Sequence, residues 1–156
     1  MRLVICFVRI RPYKDNDMKS ILKIEEESFP EGKRYSELII GYLLSMKGSK
    51  LFVAEINNCL IGYSLGYMES PTIGHVASIA VKQDFRNKGI GTMLIIYLEK
   101  ELEKEGAKFL KLEVSLNNED AKKLYLRLGY KPATLLPNYY GKTDGLLMIK
   151  DLNPKI

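Results

Sequence analysis

Apolar residues in the first half of the chain alternate between helical and strand-like spacing. Between residues 15 and 28 they recur every three or four positions, which predicts an amphipathic helix, and residues 35–46 predict a second helix. Short apolar and β-branched runs predict four strands, over residues 3–11, 51–56, 60–68 and 74–81. Asn57-Asn58 lies between two of these strands and predicts a hairpin.

The second half of the chain continues with a helix and a strand. Four apolar residues share one face of a helix that should end near Gly106: Leu94, Ile95, Leu98 and Leu102. Residues 109–114 then predict a strand. Strand, helix and strand in this order form a βαβ unit, so we expect residues 109–114 to pair in parallel with residues 74–81.

A fourth helix and two strands complete the predicted elements. Asn117 or Asn118 is expected to cap the helix, and Gly129 suits the position just after its end. The last strands should cover residues 130–135 and 145–152. The order β-α-α-β-β-β-α-β-α-β-β predicts a single α/β domain over residues 1–156, with a mixed central sheet of about seven strands and about four helices.

Composition and charge narrow the functional classes. The 156 residues carry 24 Lys and Arg against 19 Asp and Glu, a net charge of +5. The basic residues alternate with acidic ones, as in Glu99-Lys100-Glu101, which is typical of a solvated helix face. We therefore expect no sequence-specific binding of nucleic acid, although loose attraction to ribosomal RNA fits the charge.

The cysteine and histidine content predicts a metal-free protein of the cytoplasm. Cys6 and Cys59 are the only cysteines, and both are expected to be buried, inert thiols of a reducing compartment. His75 is the only histidine, which argues against a zinc site of the usual Cys/His type. The apolar start of the chain is too short for a signal sequence, and no apolar stretch approaches the ~20 residues that cross a bilayer.

A polar loop with two glycines is the first candidate for chemistry. Residues 75–81 form an apolar run, Arg86-x-x-Gly89-x-Gly91 follows, and a helical pattern begins at once. This order presents free backbone N–H groups to an anion at the positive end of a helix. The alternative is a tight turn with a solvated basic edge. The loop lacks both the Walker pattern and the third glycine of the dinucleotide fingerprint.

A second block of motifs follows the glycine loop. It consists of Leu112-Glu113-Val114 and then Asn118-x-x-Ala121-x-x-Leu124-Tyr125-x-x-x-Gly129-Tyr130. Together, the two blocks resemble the GNAT superfamily of acetyltransferases over residues 8–150. Residues 74–81 and Phe29-Pro30-Glu31 resemble the catalytic subunit of the NatA complex and its archaeal relatives. The twelve-residue separation of Glu113 and Tyr125 and the run Asn138-Tyr139-Tyr140 resemble the ribosomal-protein-alanine N-terminal acetyltransferases.

The resemblance implies two binding regions. Acetyl-coenzyme A, the cosubstrate, would contact Ile79, Ala80, Val81, Arg86, Asn87, Lys88, Gly89, Ile90, Gly91, Thr92, Asn118 and Tyr125. The acceptor would be the N-terminal amine of a protein or peptide, including nascent chains at the ribosome, held by Phe29, Pro30, Glu31, Tyr35, Tyr139 and Tyr140. No membrane partner is expected, and the oligomeric state is left open.

Three residues are candidates for catalysis. Because strands 74–81 and 109–114 are expected to be neighbours, Glu113 and His75 should meet at the carboxyl edge of the sheet and form a general base that acts through water. The resemblance implies that the Tyr125 hydroxyl would protonate the departing thiolate. Acetyl transfer needs no protein nucleophile, so we expect direct attack by the amine. Each residue also has a structural alternative: Glu113 facing solvent beside Lys111, His75 satisfied within the sheet, and Tyr125 in the core.

Other roles stay open at this point. Asn118 would be only a helix cap on the structural alternative, and Tyr139 and Tyr140 would only pack over the sheet. A lysine or small-molecule amine N-acetyltransferase is the alternative enzyme. A non-catalytic coenzyme-binding or ribosome-associated module is the alternative from another class.

Overall fold

A seven-stranded mixed sheet forms the centre of the protein. The structure, a computed structural model, describes residues 7–154. Its strands are β1 (Arg9–Pro12), β2 (Lys50–Ile56), β3 (Cys59–Met68), β4 (Ile73–Val81), β5 (Phe109–Ser115), β6 (Lys131–Tyr140) and β7 (Thr143–Asp151). They lie in the order β1-β2-β3-β4-β5-β7-β6, and only β4 and β5 run parallel. The mixed sheet predicted from the sequence is confirmed.

Within residues 7–154, four α-helices cover the two faces of the sheet. They are α1 (Met18–Ser28), α2 (Glu37–Leu44), α3 (Ile90–Lys104) and α4 (Glu119–Arg127), and short 3₁₀ helices cover Asp15–Asp17 and Gln83–Phe85. Successive residues of β2 alternate between two cores: Leu51 and Val53 pack with α1 and α2, whereas Phe52 and Ala54 pack with α3. The predicted apolar face of α3 is fully buried.

The predicted turn and cap residues have the expected conformations. Asn57 and Asn58 both have positive φ, 50° and 62°, as a tight hairpin between β2 and β3 requires. The Asn118 side chain accepts a hydrogen bond from the Ala121 N–H (3.1 Å) at the start of α4. Gly129 follows the end of α4 with a φ of 96°, in the left-handed region.

Within the described residues, the first strand and the second helix begin later than predicted. β1 begins at Arg9, and residues 3–6 of the predicted strand lie outside the described residues. Helix α2 begins only at Glu37, because the Tyr35 N–H donates to Glu25 Oε2 (2.9 Å) and Ser36 serves as the cap. The predicted helix over residues 35–46 is therefore wrong by about a residue or two at each end.

The last hairpin was placed wrongly. β6 continues to Tyr140, so Tyr139 and Tyr140 lie in a strand and not in the predicted loop. Asn138 interrupts this strand with a φ of 53°, and the pairing with β7 shifts between Leu136 and Tyr140. A β-bulge can hold polar, turn-forming residues within a strand, and residues of this kind led to the prediction of a loop.

Two predictions about burial are wrong. Cys59 is exposed at the first residue of β3, and Cys6 lies outside the described residues. Glu99, expected on a solvated face, is buried and accepts hydrogen bonds from the Tyr130 hydroxyl (2.9 Å) and Lys150 Nζ (2.8 Å). Glu99 follows the buried Ile95 by four residues, which places both on the same face of α3.

β4 and β5 part soon after they meet. They pair only from Ile73 to His75, whereas β4 stays paired with β3 as far as Val81. The β3–β4 register shifts between Val76 and Ser78, so Ala77 forms a bulge. A gap therefore opens between the carboxyl halves of two neighbouring strands.

Candidate functional site

A cavity of about 1010 Å³ fills the gap between β4 and β5. Residues from the α1–α2 connection, the segment before α3, and helix α4 line its other sides. Sixteen of the predicted site residues line it: Phe29, Pro30, Tyr35, Ile79, Ala80, Val81, Arg86, Asn87, Gly89, Ile90, Gly91, Thr92, Glu113, Asn118, Tyr125 and Tyr140. His75, Glu31, Lys88 and Tyr139 are not among the lining residues.

The edge of β4 presents backbone groups to this cavity. The Lys82 N–H donates to the Ile61 carbonyl (2.8 Å) on the β3 side. Because successive residues of a strand direct their backbone groups to opposite sides, Ile79 and Val81 direct theirs away from β3. The Val81 carbonyl indeed accepts from Arg86 Nε (2.8 Å) on that side. Beside the cavity, β4 thus has an edge that no neighbouring strand of the described residues covers, with the Val81 carbonyl bonded to Arg86.

The amino end of α3 forms the second side of the cavity. Gly89 is its N-cap, with a φ of 81°, and no side chain caps this end among the described residues. The first N–H groups of a helix lack partners within it and carry partial positive charge, so they suit a phosphate. Gly91 is different, since it lies within the helix and a Cβ there would sit 3.6 Å from Leu124 Cδ2.

Two predicted phosphate contacts point elsewhere in this structure. Arg86 Nη2 lies 3.4 Å from Ser28 Oγ, so the guanidinium bridges the end of β4 and helix α1. Lys88 Nζ lies 5.7 Å from the centre of the Phe85 ring. Their contribution to the site is therefore positive charge near the end of α3, not a contact already formed.

The imidazole of His75 joins Glu113 to Tyr67. His75 Nε2 lies 2.6 Å from Glu113 Oε2, and His75 Nδ1 lies 2.9 Å from the Tyr67 hydroxyl. Glu113 lines the cavity, and His75 lies behind it. The predicted contact of His75 with Glu113 is confirmed. The predicted position of His75 at the carboxyl edge is wrong, because His75 is the third residue of β4.

Burial and neighbouring groups act oppositely on Glu113. Burial by itself raises the pKa of the Glu113 carboxyl, while the hydrogen bond from His75 and the charge of Lys111 lower it. The net result is a pKa below the ordinary value for glutamate. Glu113 is therefore an ionised carboxylate near neutral pH, able to accept a proton but only weakly basic.

Tyr125 lies in α4, on another wall of the cavity. Both positions predicted for it, in the core and at the site, are found. It is buried against Tyr130, with ring centres 5.7 Å apart, and it also lines the cavity. Burial raises the pKa of the Tyr125 hydroxyl above its ordinary value. The phenol therefore keeps its hydrogen near neutral pH and can donate it in a hydrogen bond.

Sequence reasoning missed Glu25, a buried carboxylate at the cavity. Glu25 accepts hydrogen bonds from the Tyr35 N–H (2.9 Å) and the Tyr63 hydroxyl, and Ser78 Oγ lies 3.4 Å away. Burial raises the pKa of Glu25 despite these bonds. A signal was present, because Glu25 follows the buried Ile21 by four residues and so falls on the apolar face of α1.

Aromatic residues surround the end of the cavity nearest Glu25. The Tyr35 hydroxyl donates to the Ala77 carbonyl (3.1 Å), which the bulge of β4 releases from the sheet. Burial raises the pKa of Tyr35 to about 12. Tyr140 stacks edge-on against Tyr139 at 4.9 Å, and Lys33 Nζ lies 5.5 Å from the Tyr140 ring centre.

Two predicted acceptor contacts lie outside this end of the cavity. Glu31 is exposed in the α1–α2 connection. Tyr139 keeps 51% of its surface exposed, and its ring covers Gly145, where a Cβ would come within 3.0 Å. Both residues border the cavity through neighbours that do line it, Pro30 and Tyr140.

Residues 7–154 contain neither a candidate metal site nor a candidate membrane-spanning helix. Nowhere in this range do three or more His, Cys, Asp or Glu side chains cluster so as to hold a metal ion. None of the helices in the same range has the length and apolar character needed to cross a membrane.

Known proteins share this architecture along nearly the whole chain. The family model described as the acetyltransferase (GNAT) family matches residues 18–130. An uncharacterized N-acetyltransferase of Methanocaldococcus jannaschii is 38% identical over 143 residues, covering 90% of each chain. An N-alpha-acetyltransferase of Sulfurisphaera tokodaii is 34% identical over 157 residues, covering 92% of this chain and 93% of that protein. The crystal structure of the ribosomal-protein-S18-alanine N-acetyltransferase from Escherichia coli has a TM-score of 0.83 at 25% identity, covering 96% and 97%.

Proposed function

Because this chain belongs to the acetyltransferase (GNAT) family, whose members use acetyl-coenzyme A, we propose that its acceptor is the N-terminal α-amine of proteins. The family predicted from the motifs is confirmed. Support for the acceptor comes from relatives named for α-amine and ribosomal-protein-alanine acetylation. The observation that carries the proposal is the ionised Glu113, held by His75 at the cavity between β4 and β5.

The cavity has the groups that the coenzyme needs. The free edge of β4 at Ile79 and Val81 suits the amides of the pantetheine arm, which would pair with it as a strand does. The amino end of α3 at Gly89 suits the pyrophosphate. A backbone N–H of β4 that faces the cavity would also polarise the thioester oxygen.

Direct attack by the amine fits the nucleophiles that the described residues offer. Cys59 is exposed at the start of β3 and does not line the cavity. An acyl-enzyme on this thiol would lie outside the site. We therefore assign the chemistry to proton handling by residues that line the cavity, with the acetyl group passing straight to the acceptor.

Glu113 receives the proton that the attacking nitrogen loses. A free α-amine has a reference pKa of about 7.7–8.0, so roughly a tenth of it is neutral at pH 7. As the neutral amine attacks, its nitrogen becomes cationic and far more acidic. A weakly basic carboxylate then suffices, acting through water and returning the proton to solvent.

Tyr125 stabilises the departing sulfur on the other side. A thiol has a reference pKa near 8.5, below that of a buried tyrosine. The phenol therefore keeps most of its hydrogen and stabilises the thiolate by a hydrogen bond, while solvent supplies the net proton. This role is narrower than full proton transfer, and it follows from the burial of Tyr125.

An α-amine is a better match for this site than a lysine. Neutralising a lysine side chain, with a reference pKa of about 10.4, costs roughly 2.5 units more, on the order of 3.4 kcal/mol. Glu113 is too weak a base to remove that difference. We call the end of the cavity nearest Glu25 the acceptor end. It is narrowed by Phe29, Tyr35 and Tyr140, which favours a slender peptide terminus.

A peptide with two candidate amines tests the proposal. It carries a free N-terminus and one internal lysine, and its control is the same peptide with a blocked N-terminus. We expect mass spectrometry to locate the acetyl group on the α-amine and the blocked peptide to react far more slowly. Predominant acetylation of the lysine would reject the proposal in favour of a lysine N-acetyltransferase, and acetylation of neither amine would favour a non-catalytic module.

A further inference from the structure

A tyrosine outside the cavity contacts the far side of His75. Tyr67 lies opposite His75 in the β3–β4 pairing, and the two rings meet edge to face at 5.2 Å. The Tyr67 hydroxyl lies 2.9 Å from His75 Nδ1. Tyr67 is not among the residues that line the cavity, so it reaches the reaction only through His75.

The hydrogen-bond partners of His75 select one form of its ring. Glu113 is a carboxylate, which only accepts, so at 2.6 Å the Nε2 atom must carry a hydrogen. In the neutral imidazole, Nδ1 is then a lone-pair acceptor, and the Tyr67 hydroxyl donates to it. Burial, followed by the charge of Glu69, raises the pKa of Tyr67, so its hydrogen is present near neutral pH.

We infer that Tyr67 is a positioning residue that holds the His75 imidazole with its hydrogen on Nε2, directed at Glu113, and with Nδ1 as the acceptor. A hydrogen on Nδ1 requires the Tyr67 hydroxyl to turn its own hydrogen away. Without Tyr67, the ring hydrogen can reside on Nδ1 instead. Nε2 then has no hydrogen to donate, and Glu113 loses the bond that fixes its carboxylate.

Other titratable groups near the imidazole come from several elements around it. Lys111 lies opposite His75 in β5, and its Nζ is paired with Glu69 Oε1 at 2.6 Å. Tyr42 of α2 and Tyr139 of β6 are close enough to interact electrostatically with Tyr67 and Glu113, respectively. The Lys111–Glu69 pair largely cancels its own field, and Glu113 and Tyr67 are the groups that hydrogen-bond to the imidazole.

The test uses nitrogen NMR of the imidazole, and assignment is simple because His75 is the only histidine. In ¹⁵N-labelled protein without substrate, we expect a protonated Nε2 and a hydrogen-bonded, unprotonated Nδ1 at pH 7. In Tyr67→Phe, the Nδ1 signal should lose its hydrogen-bond shift, and a form with the hydrogen on Nδ1 should appear. Tyr97→Phe, which removes a half-exposed hydroxyl away from the site, is the matched control.

Kinetics on the best peptide provide the second readout. We expect Tyr67→Phe to lower kcat roughly three- to tenfold with little change in KM, the effect of one neutral hydrogen bond. A wild-type Nδ1 that carries the hydrogen, or His75 signals and kcat both unaltered in a folded Tyr67→Phe variant, would overturn the inference. The role in turnover rests on the proposed function. The NMR result does not, so absence of α-amine acetylation with the expected spectra would count against the proposed function alone.

Discussion

His75 Nε2 and Glu113 Oε2 lie 2.6 Å apart, although the strand register places Lys111, not Glu113, opposite His75. The two side chains meet diagonally, just where β4 and β5 separate. Because of this position, Glu113 faces the cavity while its other side is held by the imidazole. The separation of β4 from β5 thus creates the cavity and also fixes the position of the candidate base, Glu113.

Replacement of Glu113 tests its role as the base. We expect Glu113→Gln to lower kcat by roughly 10²-fold, the usual range for loss of a general base. Coenzyme affinity, measured by calorimetric titration, should stay near that of the wild type. Glu101→Gln, on the outer side of α3, is the matched control. Full activity of folded Glu113→Gln would show that positioning alone drives the reaction.

Gly91 is the cleaner of the two glycines for testing the coenzyme site. A Cβ at Gly91 makes only ordinary contacts, so Gly91→Ala should fold, whereas Gly91→Leu should also fill space shared with Leu124. We expect Gly91→Leu to weaken coenzyme A binding at least tenfold, about 1.4 kcal/mol, and Gly91→Ala to weaken it less. Equal affinities in calorimetry would remove this part of the cavity from the coenzyme site.

Gly89 is unsuitable for the same purpose. Its φ of 81° strains any other side chain, so Gly89→Val should lower the unfolding temperature before any effect on binding can be separated. Thermal unfolding of Gly89→Val beside Gly91→Ala measures this difference directly.

Tyr125→Phe tests the hydrogen bond to the departing sulfur. The ring contact with Tyr130 remains, so the variant should unfold at a temperature close to that of the wild type. We expect kcat to fall by roughly tenfold, the effect of losing one hydrogen bond to a charged group. If pre-steady-state kinetics gave an unchanged rate constant for acetyl transfer, Tyr125 would have a purely structural role.

Glu25 is expected to act on acceptor binding. Its carboxylate fixes the Tyr35 N–H, and Tyr35 in turn donates to the Ala77 carbonyl beside the acceptor end. Glu25→Ala should therefore raise the peptide KM by about tenfold, the loss of one or two hydrogen bonds. The dissociation constant of coenzyme A is the internal control, because a change in both would indicate general loosening of the domain.

The pairing of Arg11 with Asp17 predicts a pH-dependent stability. Arg11 donates two hydrogen bonds to the Asp17 carboxylate, at 2.7 and 2.8 Å, and they lower the pKa of Asp17. A lowered pKa contributes stability above the ordinary value of 3.8 and loses it as the pH falls through the lowered value. Asp17→Asn should cost about 2 kcal/mol at pH 7 in urea unfolding, and less near pH 3. Asp15→Asn, at an exposed neighbour, is the matched control.

Local sequence signals predicted the parts of the fold that depend on them. Apolar spacing located α1, α3 and the central strands, and Asn57-Asn58 and Gly129 indicated a turn and a helix end, because Asn and Gly tolerate the positive φ that these positions require. The expected adjacency of β4 and β5 also predicted that Glu113 and His75 would meet. Tyr139 and Tyr140 were misplaced because a bulge in β6 has the composition of a loop.

The missed residues act through contacts that distant parts of the chain create. Glu25 and Tyr63 are 38 residues apart, and their bond depends on how α1 crosses the sheet. Tyr67 has no motif of its own, and only the β3–β4 register brings it to His75. Glu99 was misjudged because charge alternation was weighed above its helical position relative to Ile95. Periodicity could have found Glu25 and Glu99, but Tyr67 required the register.

The bulge at Ala77 and the early separation of β4 from β5 leave this domain with a sheet that is incomplete in its middle. A ligand that pairs with Ile79 and Val81 would bridge the two halves of the sheet as a missing strand would. Ligand binding should then slow amide hydrogen exchange in strands on both sides of the gap, including β5 and β7, which the ligand need not touch. The cosubstrate would thereby serve as a structural member of the fold, and the free enzyme would be the more easily unfolded form.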